Sequence, residues 1–205
     1  MKIFAIGMNY VAHNKELHGT LLRPEEPVIF TKADSALLKP GKPFFVPDHL
    51  GRIDYEAEVV VRICRLGKNI AQRFAHRYYD AATIGIDFTA RDMQRRASQN
   101  GQPWTICKGF DGSAAIGEWV TLPSVAAREA LHFHLDKNGE TVQQGCTDDM
   151  LYGVDEIIAY ISQFFTLKTG DLLYTGTPAG VGPVQIGDHL EEWLEDQKVL
   201  DLNCK

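Results

Sequence analysis

The chain has 205 residues, is 44% hydrophobic, and carries 21 Lys and Arg against 27 Asp and Glu, a net charge of −6. That length suits one substantial core, and a negative balance with no basic patch argues against a nucleic-acid or anionic-membrane binder. The opening MKIFAIGMNY is only briefly apolar and has no small-residue cleavage site, so neither a signal peptide nor a transmembrane helix is expected and a cytosolic protein is predicted.

Taken in chain order, short runs rich in β-branched and aromatic residues predict strands at KIFAIG (2–7), PVIFTK (27–32), PFFVP (43–47) and YEAEVVVRIC (55–64). AQRFAHRYYDAA (71–82) reads as a helix, TIGIDF (83–88) as a strand, and RDMQRRASQNG (91–101) as a helix closed by Gly101. LHFHLD (131–136) reads as a strand that enters a hairpin at Asn138-Gly139, the strongest short-range hairpin signal there is. The clearest helix is VDEIIAYISQFF (154–165), with Ile157, Ile158, Ile161, Phe164 and Phe165 on one stripe and acids in its first turn. The last quarter is dense in Gly and Pro, with strands at DLLYTG (171–176) and KVLDLN (198–203). Strands and helices do not alternate, which predicts an α+β, β-dominated single domain over residues 1–205 rather than a doubly wound sheet. Cys64, Cys107, Cys146 and Cys204 form no C-x-x-C pair and suit scattered reduced thiols.

IDYEAEVVVRI (53–63) raises a chemical question. If it is one strand, Glu56 and Glu58 share a face with their Cα atoms about 7 Å apart, so two like charges sit side by side. A solvated polar face would explain this, and so would a shared cation. Asp87 in TIGIDF is the third candidate, because an acid there faces away from Ile84, Ile86 and Phe88; a turn former or helix cap is the plainer reading. Three carboxylates without His or Cys form a hard oxygen site suited to Mg²⁺, Mn²⁺ or Ca²⁺ and leave about three octahedral positions for water or substrate.

NYVAHNKEL, YEAEVVV, GIDFTARDMQ, WTICKGFDG and LLYTGTPAGVGP, in this order, resemble the fumarylacetoacetate hydrolase family, nearest its small acylpyruvase and oxaloacetate decarboxylase branch. The likeness runs from Ile6 to the C-terminus. It implies a roll of packed, mixed sheets, a homodimer, and Mg²⁺ or Mn²⁺ held by Glu56, Glu58 and Asp87. The substrate it implies is a keto acid that chelates the ion through its carboxylate and 2-keto oxygen. Lys108 matches the family lysine near the enolate oxygen, though alone it reads as a surface lysine. His13 and Glu16, three apart, can share a helix face, where a carboxylate polarises an imidazole base; in the family the matching pair sits on a lid. Arg91 and Gln94 are also three apart and can meet a substrate carboxylate, with Arg95 and Arg96 read as a solvated face. Thr177 matches the threonine whose hydroxyl or backbone amide meets substrate. One departure is Ala33 after Lys32, where the family often has Lys-Pro, and Lys32 receives no role. The resemblance therefore implies a metal-dependent hydrolase that cleaves acylpyruvates to pyruvate and a carboxylic acid. Oxaloacetate decarboxylase and keto–enol acid isomerase are alternatives at the same site, and a non-catalytic metal-stabilised binding protein is the alternative of another class.

Overall fold

Strand-forming runs punctuated by Gly, Pro and Asp produce many short strands, and the chain arranges them in three sheets. The computed structural model describes residues 1–19, 23–38, 41–122 and 130–205. Its elements are β1 (Ile3–Gly7), α1 (Val11–His18), β2 (Val28–Lys32), β3 (Ile53–Tyr55), β4 (Ala57–Ile63), α2 (Gln72–Ala75), β5 (Tyr79–Asp87), β6 (Thr89–Ala90), α3 (Arg91–Gln99), α4 (Thr105–Gly109), β7 (Ala114–Ile116), β8 (Val120–Thr121), β9 (His132–Lys137), β10 (Glu140–Cys146), α5 (Val154–Phe164), β11 (Leu172–Tyr174), β12 (Gly182–Pro183), β13 (His189–Leu194) and β14 (Gln197–Asn203). A large sheet runs β2-β1-β11-β4-β5-β7, with β8 also pairing β5. Four strands form β10-β9-β13-β14, and three form β12-β3-β6. The β1–β11 pair is parallel and the other pairs are antiparallel, so the fold is α+β with mixed sheets forming a roll. No helix among the described residues is long and apolar enough to cross a membrane.

The main core lies where the large sheet, the four-stranded sheet and α5 meet. Val59, Val61 and Ile63 of β4 and Ile84 and Ile86 of β5 pack there with Leu135, Leu190, Leu202, Ile157, Ile158 and Ile161, all buried. The opposite face of the large sheet holds a smaller cluster of Ile3, Ala5, Val60, Ala114, Leu172 and Tyr174. Period-two alternation therefore buries both faces of β4, one against the main core and one against the smaller cluster. The predicted hairpin forms: Lys137 pairs Glu140, and Asn138 (φ 54°) and Gly139 (φ 82°) take the left-handed conformations that a type I′ turn requires.

Three local expectations are corrected, and β13 is added to what the sequence predicted. Residues 53–63 are not one strand, because the chain turns at Glu56 from β3, paired in the small sheet, to β4 in the large one. The helix expected over 71–82 is a single turn, Gln72–Ala75; Ala81 and Ala82 instead sit in β5 between β4 and β8, and two-sided pairing outweighs alanine's helix propensity. PFFVP forms no strand and contributes one bridge, Phe44 to Cys204, because Pro43 and Pro47 have no N–H to donate to a ladder. β13 (HLEEWL) has no counterpart in the sequence reading, since its acids mask the burial of Leu190, Glu192 and Leu194. All four cysteines are free thiols.

Candidate functional site

The turn at Glu56 builds the site. Both β3 to β4 and the adjacent β5 to β6 change sheets at the same level, and the Asp87 N–H donates to the Glu56 carbonyl at 2.9 Å across that corner. Glu58 lies opposite Gly85 in the β4–β5 ladder, two residues before Asp87 on the same face of β5. Oxygens of Glu56, Glu58 and Asp87 accordingly come within 4.8 Å of one another, and all three residues are buried. A solvated acidic face is thereby ruled out for this pair.

Cations surround the three carboxylates. Lys108 on α4 donates to Glu56 Oε2, Asp87 Oδ2 and the Thr89 hydroxyl, each at 2.7 Å, which uses all three of its N–H groups. Arg91, the first residue of α3, donates from Nε to Asp54 at 2.8 Å, from Nη2 to Glu56 Oε1 at 2.5 Å and from Nη1 to Gln94 Oε1 at 2.5 Å. Its guanidinium is therefore first a counter-ion of the protein's own acids, with one N–H left on each Nη for a ligand. Burial works against the charge on Glu56, but Lys108 and Arg91 outweigh it and hold the carboxyl below the usual range. Among the described residues Glu58 accepts only the Gly176 N–H, at 2.7 Å. Burial, with the charges of Asp87 and Glu56 added, pushes its carboxyl well above the usual range.

His13 and Glu16 lie on α1, with Nδ1 3.3 Å from Glu16 Oε2. Glu16 also accepts the Gly180 N–H at 3.1 Å, which ties α1 to the TPAG turn. A carboxylate only accepts, so Nδ1 carries the proton and the neutral ring has its lone pair on Nε2. His13 is 5% exposed, and burial lowers its pKa despite the raising effect of Glu56 and Glu16. It is thus a neutral imidazole near pH 7.

One cavity of about 600 Å³ is lined by His13, Glu16, Glu56, Glu58, Asp87, Arg91, Gln94, Lys108 and Thr177, so the structure brings together every residue singled out from the sequence. Ile6, Phe30 and Trp104 form its apolar wall. Arg95, read as part of a solvated face, is exposed but also lines the cavity.

Sequence reasoning missed Lys32. Its Nζ is fully buried 2.7 Å from Asp87 Oδ1 and donates to Ser113 O and Ser113 Oγ, each at 3.1 Å, and to the Lys108 carbonyl oxygen. The only signal was its place two residues after Phe30, on the cavity-facing side of β2. Because its N–H groups go elsewhere, Asp87 Oδ1 has a charge beside it but no hydrogen-bond donor among the described residues. Asp54, which orients Arg91, was also missed.

The donor set fits a hard divalent cation. Three buried carboxylates, one with an orphaned oxygen and one whose pKa burial raises, are what such an ion would satisfy, and without a His or Cys donor among the three they do not suit zinc or copper.

Comparisons with known proteins agree with this picture. The family model described as "Fumarylacetoacetate (FAA) hydrolase C-terminal" matches residues 2–205. The chain is 35% identical over 193 residues to the mitochondrial oxaloacetate tautomerase FAHD1 of Mus musculus, covering 94% of this chain and 86% of that one. It is 36% identical over 190 residues to the oxaloacetate tautomerase YcgM of Escherichia coli (strain K12), covering 92% and 86%. The crystal structure of fumarylpyruvate hydrolase from Pseudomonas aeruginosa, in complex with Mn²⁺ and pyruvate, superposes with a TM-score of 0.92 at 31% identity, over 100% of this chain and 89% of that one.

Proposed function

Since the chain belongs to the fumarylacetoacetate hydrolase family, we propose that it is a divalent-metal-dependent enzyme that interconverts the keto and enol forms of oxaloacetate. The observation that carries this reading is the union, in one cavity, of a buried carboxylate triad with a neutral, carboxylate-oriented imidazole. Relatives of 35–36% identity named as oxaloacetate tautomerases favour it over the other reactions open to such a site.

Glu56, Glu58 and Asp87 would hold Mg²⁺ or Mn²⁺, which supplies electrophilic stabilisation of charge on a keto acid's oxygens. The rest is the work of the chain's own groups. His13 takes a proton from carbon 3 of the keto form through Nε2 and delivers one to the carbon 2 oxygen; Glu16 holds the ring in the tautomer that allows this. Lys108, its N–H groups spent on two carboxylates and the Thr89 hydroxyl, adds fixed positive charge beside the developing enolate. The free N–H groups of Arg91 and the Gln94 amide meet a substrate carboxylate. Ile6, Phe30 and Trp104 keep the cavity poorly hydrated, which strengthens each of these interactions.

A second reading, hydrolysis of an acylpyruvate to pyruvate and a carboxylic acid, is favoured by the fumarylpyruvate hydrolase likeness. There the same His13 would activate a water. Decay of the enol absorbance of oxaloacetate, followed beside pyruvate release from acetylpyruvate with Mn²⁺ present, separates the two. The protein should speed enol decay, lose that effect in EDTA, and lose at least about 100-fold on His13→Gln. Pyruvate release from acetylpyruvate with enol decay left at the buffer rate would replace the first reading with the second.

A further inference from the structure

A keto acid bound as proposed above needs directed donors for its anionic oxygens, and on that reading we infer that Gln143 is a positioning residue that makes the Thr177 hydroxyl one of them. Gln143 lies on β10 and is 2% exposed. The β9–β10 ladder slips between Thr141 and Gln143, and such an irregularity re-aims a side chain. Its Oε1 accepts the Ala57 N–H at 2.9 Å, and its Nε2 donates to Pro178 O at 3.0 Å and to Thr177 Oγ1 at 2.9 Å.

The orientation of this amide is forced from both ends. A backbone N–H can only donate and a carbonyl can only accept, so the amide has one arrangement. Thr177 Oγ1 must then be the acceptor in its bond with Gln143. Its own hydrogen is left over, and among the described residues it goes to no protein oxygen. Thr177 is 3% exposed and lines the cavity beside Glu56, Glu58 and Lys108. The hydroxyl therefore keeps its hydrogen free at the cavity, a donor suited to a carboxylate or enolate oxygen.

Two further contacts fit this role. Ala57 lies between Glu56 and Glu58, so one amide fastens the backbone of the acidic pair to the turn that carries Thr177. That turn can approach β10 only because residue 180 is glycine: at φ +101° a Cβ would lie 2.4 Å from the Val142 carbonyl oxygen and 3.2 Å from Gln143 Cγ.

The test uses oxalate, a flat dianion with the oxygen layout of an enolpyruvate, titrated into the Mn²⁺-loaded full chain by calorimetry, with Mn²⁺ affinity measured separately. Gln143→Met, which keeps volume and removes both the donors and the acceptor of the Ala57 N–H, should weaken oxalate about tenfold beyond any loss in Mn²⁺ affinity. Thr177→Val should weaken it to the same extent, Thr177→Ser should not, and Gln143→Met added to Thr177→Val should cost nothing more. If Gln143→Met does not fold, Gln143→Glu keeps the bond from Ala57 and removes the donor to Thr177, with the same expected loss. Unchanged oxalate affinity in a folded Gln143 variant, or additive losses in the double variant, overturns the inference. A wild-type chain that binds oxalate with Mn²⁺ yet leaves enol-oxaloacetate unconverted would refute the proposed activity and leave the role of Gln143 standing.

Discussion

Replacing Lys108 by methionine removes the cation that joins two of the three cavity carboxylates while nearly preserving side-chain length. In the intact protein its Nζ is 2.7 Å from both Glu56 Oε2 and Asp87 Oδ2, and the side chain is 3% exposed. Burial lowers its pKa, but Asp87 and Glu56 outweigh that and raise it above the usual lysine value. Breaking a buried pair by removing one partner costs about 3–5 kcal/mol. Arg91 remains 2.5 Å from Glu56 and Lys32 remains 2.7 Å from Asp87, so the lower end applies, about 3 kcal/mol. Against a domain stability of about 5–15 kcal/mol this is a large loss. Urea unfolding in EDTA should show it directly. Mn²⁺ should then recover more stability in the variant than in wild type, because a divalent ion replaces the missing charge; at 100 times its Kd an ion contributes about 2.7 kcal/mol. A variant within about 1 kcal/mol of wild type in EDTA, or an equal response of both proteins to Mn²⁺, would refute the picture of carboxylates in need of cations.

Two other outcomes are expected. Glu192 is fully buried with neither carboxyl oxygen hydrogen-bonded among the described residues, and burial raises its pKa well above 4.5. The folded state therefore binds a proton that the unfolded state releases, and stability falls as pH rises from about 4.5 towards the folded pKa. Glu192→Met should stabilise the protein by about 1–3 kcal/mol near pH 8 and by much less near pH 4; equal urea midpoints for variant and wild type near pH 8 would contradict this. Gly176 donates its N–H to Glu58 at φ +98°, where a Cβ would sit 2.7 Å from Asn9 Cβ. Gly176→Ala should cost about 1–3 kcal/mol and weaken Mn²⁺ in a calorimetric titration, whereas unchanged Mn²⁺ affinity would detach that turn from the acidic centre.

Short-range chemistry was legible in the sequence and long-range chemistry was not. Asn138-Gly139 specified its hairpin because the required positive φ values belong to those residue types. The stripe on α5 was readable for Ile157, Ile158 and Ile161, whose packing follows from the helical period, but Phe164 and Phe165 at its end are exposed. Glu56, Glu58 and Asp87 were found by alternation and motif order, although the strand assumed to carry the first two is broken at Glu56; a two-residue spacing brings the side chains together even across a sheet change. Lys32 was not legible, since nothing local distinguishes a lysine that will be sealed against Asp87 from one left in water. Gln143 was hidden for the same reason: KNGE looked like a plain turn, and only tertiary contact shows the strand beyond it reaching the cavity. Arg91 was expected to meet a substrate carboxylate, but Asp54, invisible as a partner in the sequence, claims its Nε side.

The parallel pairing of β1 with β11 joins segments far apart in sequence: the Lys2 N–H donates to the Asp171 side chain, 169 positions away, and Ile3 is in register with Leu172. During synthesis β1 can pair with β2 early, but its other edge stays unpaired until residues 172–174 have emerged. Pairings this remote in sequence make folding slow, and a polypeptide released before residue 172 has no central strand to receive its beginning. Assembly is therefore nearly all-or-none with respect to translation, and chaperone demand should concentrate in the interval between the emergence of these two strands.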